Sequence, residues 1–115
     1  MTTFNKAPEG MDANEKRRLG VRWPQLQETV EPMITGNYKD RFVAEYWQTK
    51  IRYERLKKFN TKIEAAQLQK NYTGVLPDWA PPHDCPEYLL EQQQRVMGEY
   101  LHILETRAEI EGIEL

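Results

Sequence analysis

No serine occurs among the 115 residues, and cysteine occurs once, at Cys85. Nucleophilic catalysis therefore has almost no candidates, since Cys85 has only His83 near it in the chain. A single cysteine forms no internal disulfide, which fits a reducing compartment. No stretch approaches the ~18 apolar residues of a membrane span. The opening MTTFNKAPEGMDANEKRR lacks the basic start and apolar run of a signal peptide. The sequences GxGxxG, GxxxxGK[ST] and GxSxG are absent too, so no standard phosphate loop or nucleophile elbow is present. His83, Asp84 and Cys85 are metal-ligand types, but three adjacent residues without a second cluster read as a solvated turn and helix cap. His102, between Leu101 and Ile103, reads as a packed or half-exposed histidine. A cytoplasmic protein with no enzymatic activity, metal or cofactor is expected.

Net charge is also scarce, at -2, but it is unevenly placed. Residues 38–59 carry seven Lys/Arg against three Asp/Glu, whereas residues 86–115 carry two against seven. An acidic C-terminal helix lying along a basic central one would be mutually attractive. The overall balance speaks against duplex DNA, which is held mainly through phosphates. Single-strand binding by the basic-aromatic face meets the same objection.

The long stretch without glycine or proline, from Asn37 to Thr73, predicts a helix over about 37–70, roughly 50 Å long at ~1.5 Å per residue. Asn37 is suited to cap it, with Asp40 in the first turn. Before it, DANEKRRLG (12–20) reads as one short helix capped by Asp12 and closed by Gly20, behind a frayed tail over 1–11. WPQLQETVEPMITG (23–36) reads as another, with Pro24 at its first helical position and Pro32 limiting its regular run. NYTGVLPDWAPPHD (71–84) is a Pro/Gly-rich connection whose Tyr72, Val75, Leu76 and Trp79 are available to fold back on the core. Residues 85–112 read as the second long helix, started by Pro86 and Glu87, with Asp84-x-x-Glu87 as a capping box. Gly112 is placed to end it, and Ile113 to make the apolar contact typical of that ending.

The expected architecture is all-α: an antiparallel two-helix hairpin over 37–115 with a short N-terminal helical segment over 1–36. Two helices cover each other poorly, so completion by homo-oligomerisation is expected.

The basic stretch YKDRFVAEYWQTKIRYERLKKF (38–59) holds six of the twelve aromatic residues. Turning each residue by ~100° sorts it into faces. Tyr38, Phe42, Tyr46, Thr49, Tyr53 and Leu56 form the hairpin seam. Val43, Trp47 and Ile51 form a second apolar cluster roughly opposite, to be covered by the segment bearing Trp23, Leu26 and Val30, by another subunit, or by a ligand. Arg41, Arg52 and Arg55 flank the seam on one side, and Lys39, Lys50, Lys57 and Lys58 on the other. Such cations ordinarily fringe an apolar face with their stems. They also suit a nucleotide, its base stacked on Tyr46 or Trp47 and its phosphate met by Arg41, Lys50 or Arg52. Arg107, on the second helix, either pairs with Glu45 and fixes the register or stays free to bind an anion.

The pattern Y-K-D-R-F-x-A-E-Y-x-x-x-K-I-x-Y-E-x-L-K-K-F, followed by L-L-E-Q-Q-x-x-M-x-x-Y-L-x-I-L-E-x-R-A-E-I-E, resembles a helical-hairpin family of small phage and prophage proteins related to crAss-like phage. The resemblance covers about residues 37–111. It implies a virus-encoded accessory protein in the host cytoplasm without enzymatic activity. More distantly, the design is similar to oligomeric phage sponges that sequester immune nucleotides such as cyclic dinucleotides or cyclic ADP-ribose derivatives. The G-Y-R…N-x-I-K signature of the anti-CBASS sponges is absent, so no binding residue is carried over from them. The expected function is sequestration of such a signal; the alternative is an oligomeric module that docks a host or phage protein.

Overall fold

The structure, a computed structural model, describes residues 23–115. A 3-10 turn over Leu26–Thr29 runs into α1 (Val30–Thr35), followed by α2 (Tyr38–Thr73) and α3 (Glu87–Glu111). Among the described residues there is no strand. The two long helices pack as an antiparallel hairpin, the expected all-α architecture. The helix expected over 12–20 lies outside the described residues.

Helix α2 starts where its capping residues dictate. The Asn37 side-chain oxygen accepts from the Asp40 amide at 2.9 Å, and the Asp40 carboxylate accepts from the Asn37 amide at 3.3 Å. Two amides that no helical carbonyl reaches are thereby satisfied. The helix then runs 36 residues, about 54 Å. At the far end of α3, Gly112 takes φ 67°, and the Ile113 amide donates to the Ala108 carbonyl at 2.9 Å. This turn folds Ile113 back, and its side chain is buried.

The segment before α2 departs from a single helix starting at Pro24. Its α-helical part begins only at Val30 and keeps Pro32 within its first turn, where a missing N–H leaves no helical bond unmade.

Chain contacts divide the protein into two compact units. Of the described residues, the first combines 23–51 with Tyr100–Leu115. Its core comprises Phe42, Ala44, Tyr46 and Trp47 of α2, Leu101, Leu104 and Ala108 of α3, and Ile113. Thr29 is buried with them, its hydroxyl donating to the Leu26 carbonyl at 2.6 Å and accepting from Gln48 at 3.0 Å. That pairing meets the cost of burying the hydroxyl.

Acidic α3 is tied to α2 here by tyrosines. Tyr46 donates to Glu105 at 2.6 Å, Tyr38 donates to Glu111 at 2.6 Å, and Tyr100 donates to Glu45. The expected Glu45–Arg107 pair is replaced by Tyr100–Glu45, while Arg107 binds Glu111 and Tyr38. The reason is local: Glu111 lies one helical turn beyond Arg107, where it accepts at 3.1 Å and, by accepting from Tyr38 as well, holds the phenol within 2.7 Å of the guanidinium.

The second unit is Arg52–Glu99. Ile63 and Ala66 are its buried apolar residues. The Asn60 amide bridges to the Leu90 carbonyl at 3.1 Å and the Gln94 side chain at 2.9 Å, fixing the local register. Tyr53 lies against Gly98, where an added Cβ would meet its ring at 3.3 Å. Contrary to expectation, Tyr72, Val75, Leu76 and Trp79 are exposed rather than folded onto the core. The Ala80 amide donates to the Pro77 carbonyl at 3.1 Å, closing a turn over residues 77–80 that leaves Leu76 and Trp79 half exposed.

Candidate functional site

In the first unit the aromatic and basic candidates are drawn into the protein itself. Tyr46 is fully buried and Trp47 is 2% exposed. Trp23 packs on Trp47 with ring centroids 5.4 Å apart, and Tyr46 meets Trp47 edge-on at 5.2 Å. Of the three candidate covers for the second apolar face, the N-terminal segment is therefore the one seated on Trp47. Lys50 is buried as well, its ammonium 5.6 Å from the Trp23 ring centre. That distance suits a cation–π contact, and the stem of Lys50 fills space beside the indole.

Arg41 is exposed, and its guanidinium donates to the Gly36 carbonyl at 2.6 Å, tying down the α1–α2 junction. Arg107 lies 5.0 Å from the Phe42 ring centre and donates to Glu111 at 3.1 Å and to Tyr38 at 2.7 Å. Within this cluster the carboxylate accepting from Tyr38 raises the phenol pKa, with burial adding to the effect. The same hydrogen bond lowers the Glu111 pKa, assisted by Arg107. Arg41 and Arg107 thus each already donate to groups of the protein.

Arg52, in the second unit, is placed differently. With Arg55, Leu56, Gln93 and Met97 it lines an open groove of about 260 Å³. Arg52 and Arg55 are one helical turn apart on α2, and Gln93 and Met97 one turn apart on α3, so each pair shares a face. Among the described residues neither guanidinium has a hydrogen-bond or carboxylate partner. Leu56 and Met97 supply apolar surface, and Gln93 both donates and accepts. Chemically the groove can take an anion against the arginines and an apolar or planar group against the thioether.

A second groove of this unit, about 300 Å³, is lined by polar side chains including Tyr53, Asn60, Glu64, Glu91 and Arg95. Arg95 there pairs with Glu99 at 3.2 Å. Of the six sequence candidates, Tyr46, Trp47 and Lys50 are brought together around Trp23, Arg41 and Arg107 occupy separate contacts, and Arg52 joins Arg55 in the first groove. Gln93 and Met97 were not among the candidates, although their spacing on one face of α3 was readable from the sequence.

His83 turns its Nδ1 toward the Cys85 carbonyl at 2.9 Å, with Glu87 3.8 Å from its other nitrogen. Among the described residues no group of His, Cys, Asp or Glu is arranged to hold a metal. No described helix is long and apolar enough to cross a membrane. Comparison with curated proteins gave no match, nor did comparison with solved structures. Residues 36–110, which span α2, α3 and the grooves between them, match the family model described as Sequestin, and the chain belongs to the Sequestin family.

Proposed function

We propose that this protein is a non-enzymatic, phage-encoded sequestering protein. It binds a nucleotide immune signal, of cyclic nucleotide or cyclic ADP-ribose type, in the host cytoplasm and so counters anti-phage defence. The family name speaks of sequestration. The observation that carries the reading is the Arg52/Arg55 groove: two guanidiniums without acidic partners among the described residues, beside apolar Leu56 and Met97. Phosphate oxygens match the guanidinium fork, so Arg52 and Arg55 hold the anionic end. Met97 and Leu56 receive the apolar face of a base or ribose, and Gln93 reads its polar edge. No bond is broken; the protein works by affinity and stoichiometry.

Calorimetry against a panel of cyclic dinucleotides and cyclic ADP-ribose derivatives tests this, using wild type and Arg52→Ala/Arg55→Ala. A charge-assisted bond at an open site is worth about 1–1.5 kcal/mol, so the double variant should bind roughly 30–140-fold more weakly. Absence of heat with every panel member from a folded protein overturns the reading. So does a double variant that binds as tightly as wild type, since the groove would then not be the site.

A further inference from the structure

In the Arg52–Glu99 unit the two helices meet with little apolar interlock. Its buried apolar residues, Ile63 and Ala66, both belong to α2. The buried residues of α3, Leu101, Leu104 and Ala108, all lie in the first unit. Among the described residues, then, no buried α3 side chain fixes which side of that helix faces α2 here.

What crosses the seam is the half-buried side chain of Asn60. Its amide nitrogen donates to the Leu90 carbonyl at 3.1 Å and to the Gln94 side-chain oxygen at 2.9 Å. A carbonyl only accepts, so the nitrogen of the amide, not its oxygen, must be turned to Leu90. Both N–H groups are engaged by residues one turn apart on α3, which fixes that helix in rotation as well as in height. Arg95–Glu99 and Gln67–Asn71, by contrast, join neighbours on a single helix and constrain no facing.

The same turns carry the Arg52/Arg55 groove. Leu56 precedes Asn60 by one turn, Gln93 adjoins Gln94, and Met97 lies one turn beyond it. A roll of α3 that frees Leu90 and Gln94 from Asn60 therefore carries Gln93 and Met97 away from the arginines. We infer that Asn60 is a positioning residue. It does not line the groove, but it holds α3 in the facing that sets Gln93 and Met97 opposite Arg52 and Arg55. As a statement about binding, this rests on that groove being the nucleotide site. A single polar residue in a helical seam can specify an arrangement while adding little to stability.

That separation of affinity from stability is the test. Asn60→Leu keeps a side chain of similar size in the seam and leaves the Leu90 carbonyl its own helical bond. Its Tm should stay within about 5 °C of wild type. Calorimetry with the cyclic dinucleotide and cyclic ADP-ribose panel should show affinity falling about tenfold or more. Gln93→Ala should then cost less affinity in the Asn60→Leu background than in wild type, because Gln93 acts only when held in place. Unchanged affinity overturns the inference. So does a parallel fall of affinity and Tm, which would make Asn60 an ordinary stabilising contact.

A ligand-free measurement separates this inference from the reading of the groove. Nitroxides at Gln69→Cys and Val96→Cys, both exposed positions, with Cys85→Ala, report the distance between the helices by electron–electron resonance. Asn60→Leu should broaden the distance distribution by roughly 5 Å, the sideways travel of a helix surface on rolling. An unchanged width overturns the inference, whatever happens to binding. A broadened width with no panel member bound by wild type upholds Asn60 as the residue that sets the facing, and overturns the groove as nucleotide site. Should Asn60→Leu fail to fold, Gln94→Ala releases one N–H and keeps the other on Leu90. It should weaken binding about threefold, and unchanged affinity there overturns the inference equally.

Discussion

Replacing Trp47 by alanine distinguishes a ring that holds the protein together from one that holds a ligand. Trp47 is 2% exposed, with Trp23 at 5.4 Å and Tyr46 at 5.2 Å. A buried indole withdraws about 250 Å² from water, worth roughly 6 kcal/mol at ~25 cal/mol per Å². Compactness of the unfolded chain lowers that to about 4–5 kcal/mol, within the range for Trp→Ala in cores. Trp47→Ala should therefore shift the urea midpoint, followed by far-UV circular dichroism, down by roughly 2–4 M at ~1.5 kcal/mol per M. Such a loss takes much of the 5–15 kcal/mol by which small domains are stable. Trp47→Phe should cost less than half as much. A cycle combining Trp47→Ala with Trp23→Ala should show a coupling of about 0.5–1.5 kcal/mol from the lost ring pair. If Trp47→Ala unfolds within 1 kcal/mol of wild type but loses ligand, the ring is a binding platform and the assignment of Trp23 as its cover fails.

Tyr38, Arg107 and Glu111 give stability a pH dependence of determined sign. The Glu111 pKa is lowered by folding, so its contribution is present above the ordinary carboxylate value of 4.5 and is lost as pH falls through the lower folded value. The Tyr38 pKa is raised, so its contribution is present below 10.0 and is lost as pH rises through the higher folded value. Thermal unfolding across pH should show a plateau between these limits, and Tyr38→Phe should make both flanks shallower; unchanged flanks would remove this network from the account. Gly98→Ala sets about 1 kcal/mol of helix propensity against a Cβ placed 3.3 Å from the Tyr53 ring. Tyr53 borders the 300 Å³ groove and can yield by a few tenths of an ångström. A net gain of roughly 0.5 kcal/mol, or about 2–4 °C in Tm, is expected, and a lower Tm would show the ring to be fixed.

Much of the fold could be read because local chemistry decides it. Asn37 and Asp40 mark the start of α2, the absence of Gly and Pro to Thr73 sets its length, and Gly112 with Ile113 ends α3. Each depends on residues within one or two turns. The connection did not follow, because apolar residues in a loop say only that burial is favourable. The turn that the Ala80 amide closes on the Pro77 carbonyl, a detail no apolar count reveals, leaves Leu76 and Trp79 half exposed.

The candidate site divides along the same line. Helical periodicity placed Arg41, Arg52 and Arg55 on one flank of the seam, which is a property of the helix alone. Which of them keeps its charge available is a tertiary property. Arg41 donates to Gly36, five residues away, and Arg107 is engaged by Glu111 and by Tyr38, 69 residues distant. Arg52 and Arg55 face Gln93 and Met97, which offer no carboxylate. A guanidinium opposite a glutamine retains its full attraction for a phosphate, whereas one opposite a glutamate has already spent it. A sequence lists the cations on a face, and the facing helix selects those that stay open to a ligand. Gln93→Glu should therefore weaken nucleotide binding about tenfold or more without disturbing the helices, since it would give Arg52 or Arg55 an internal anion. Calorimetry showing wild-type affinity in Gln93→Glu would break the link between the uncommitted guanidiniums and the ligand.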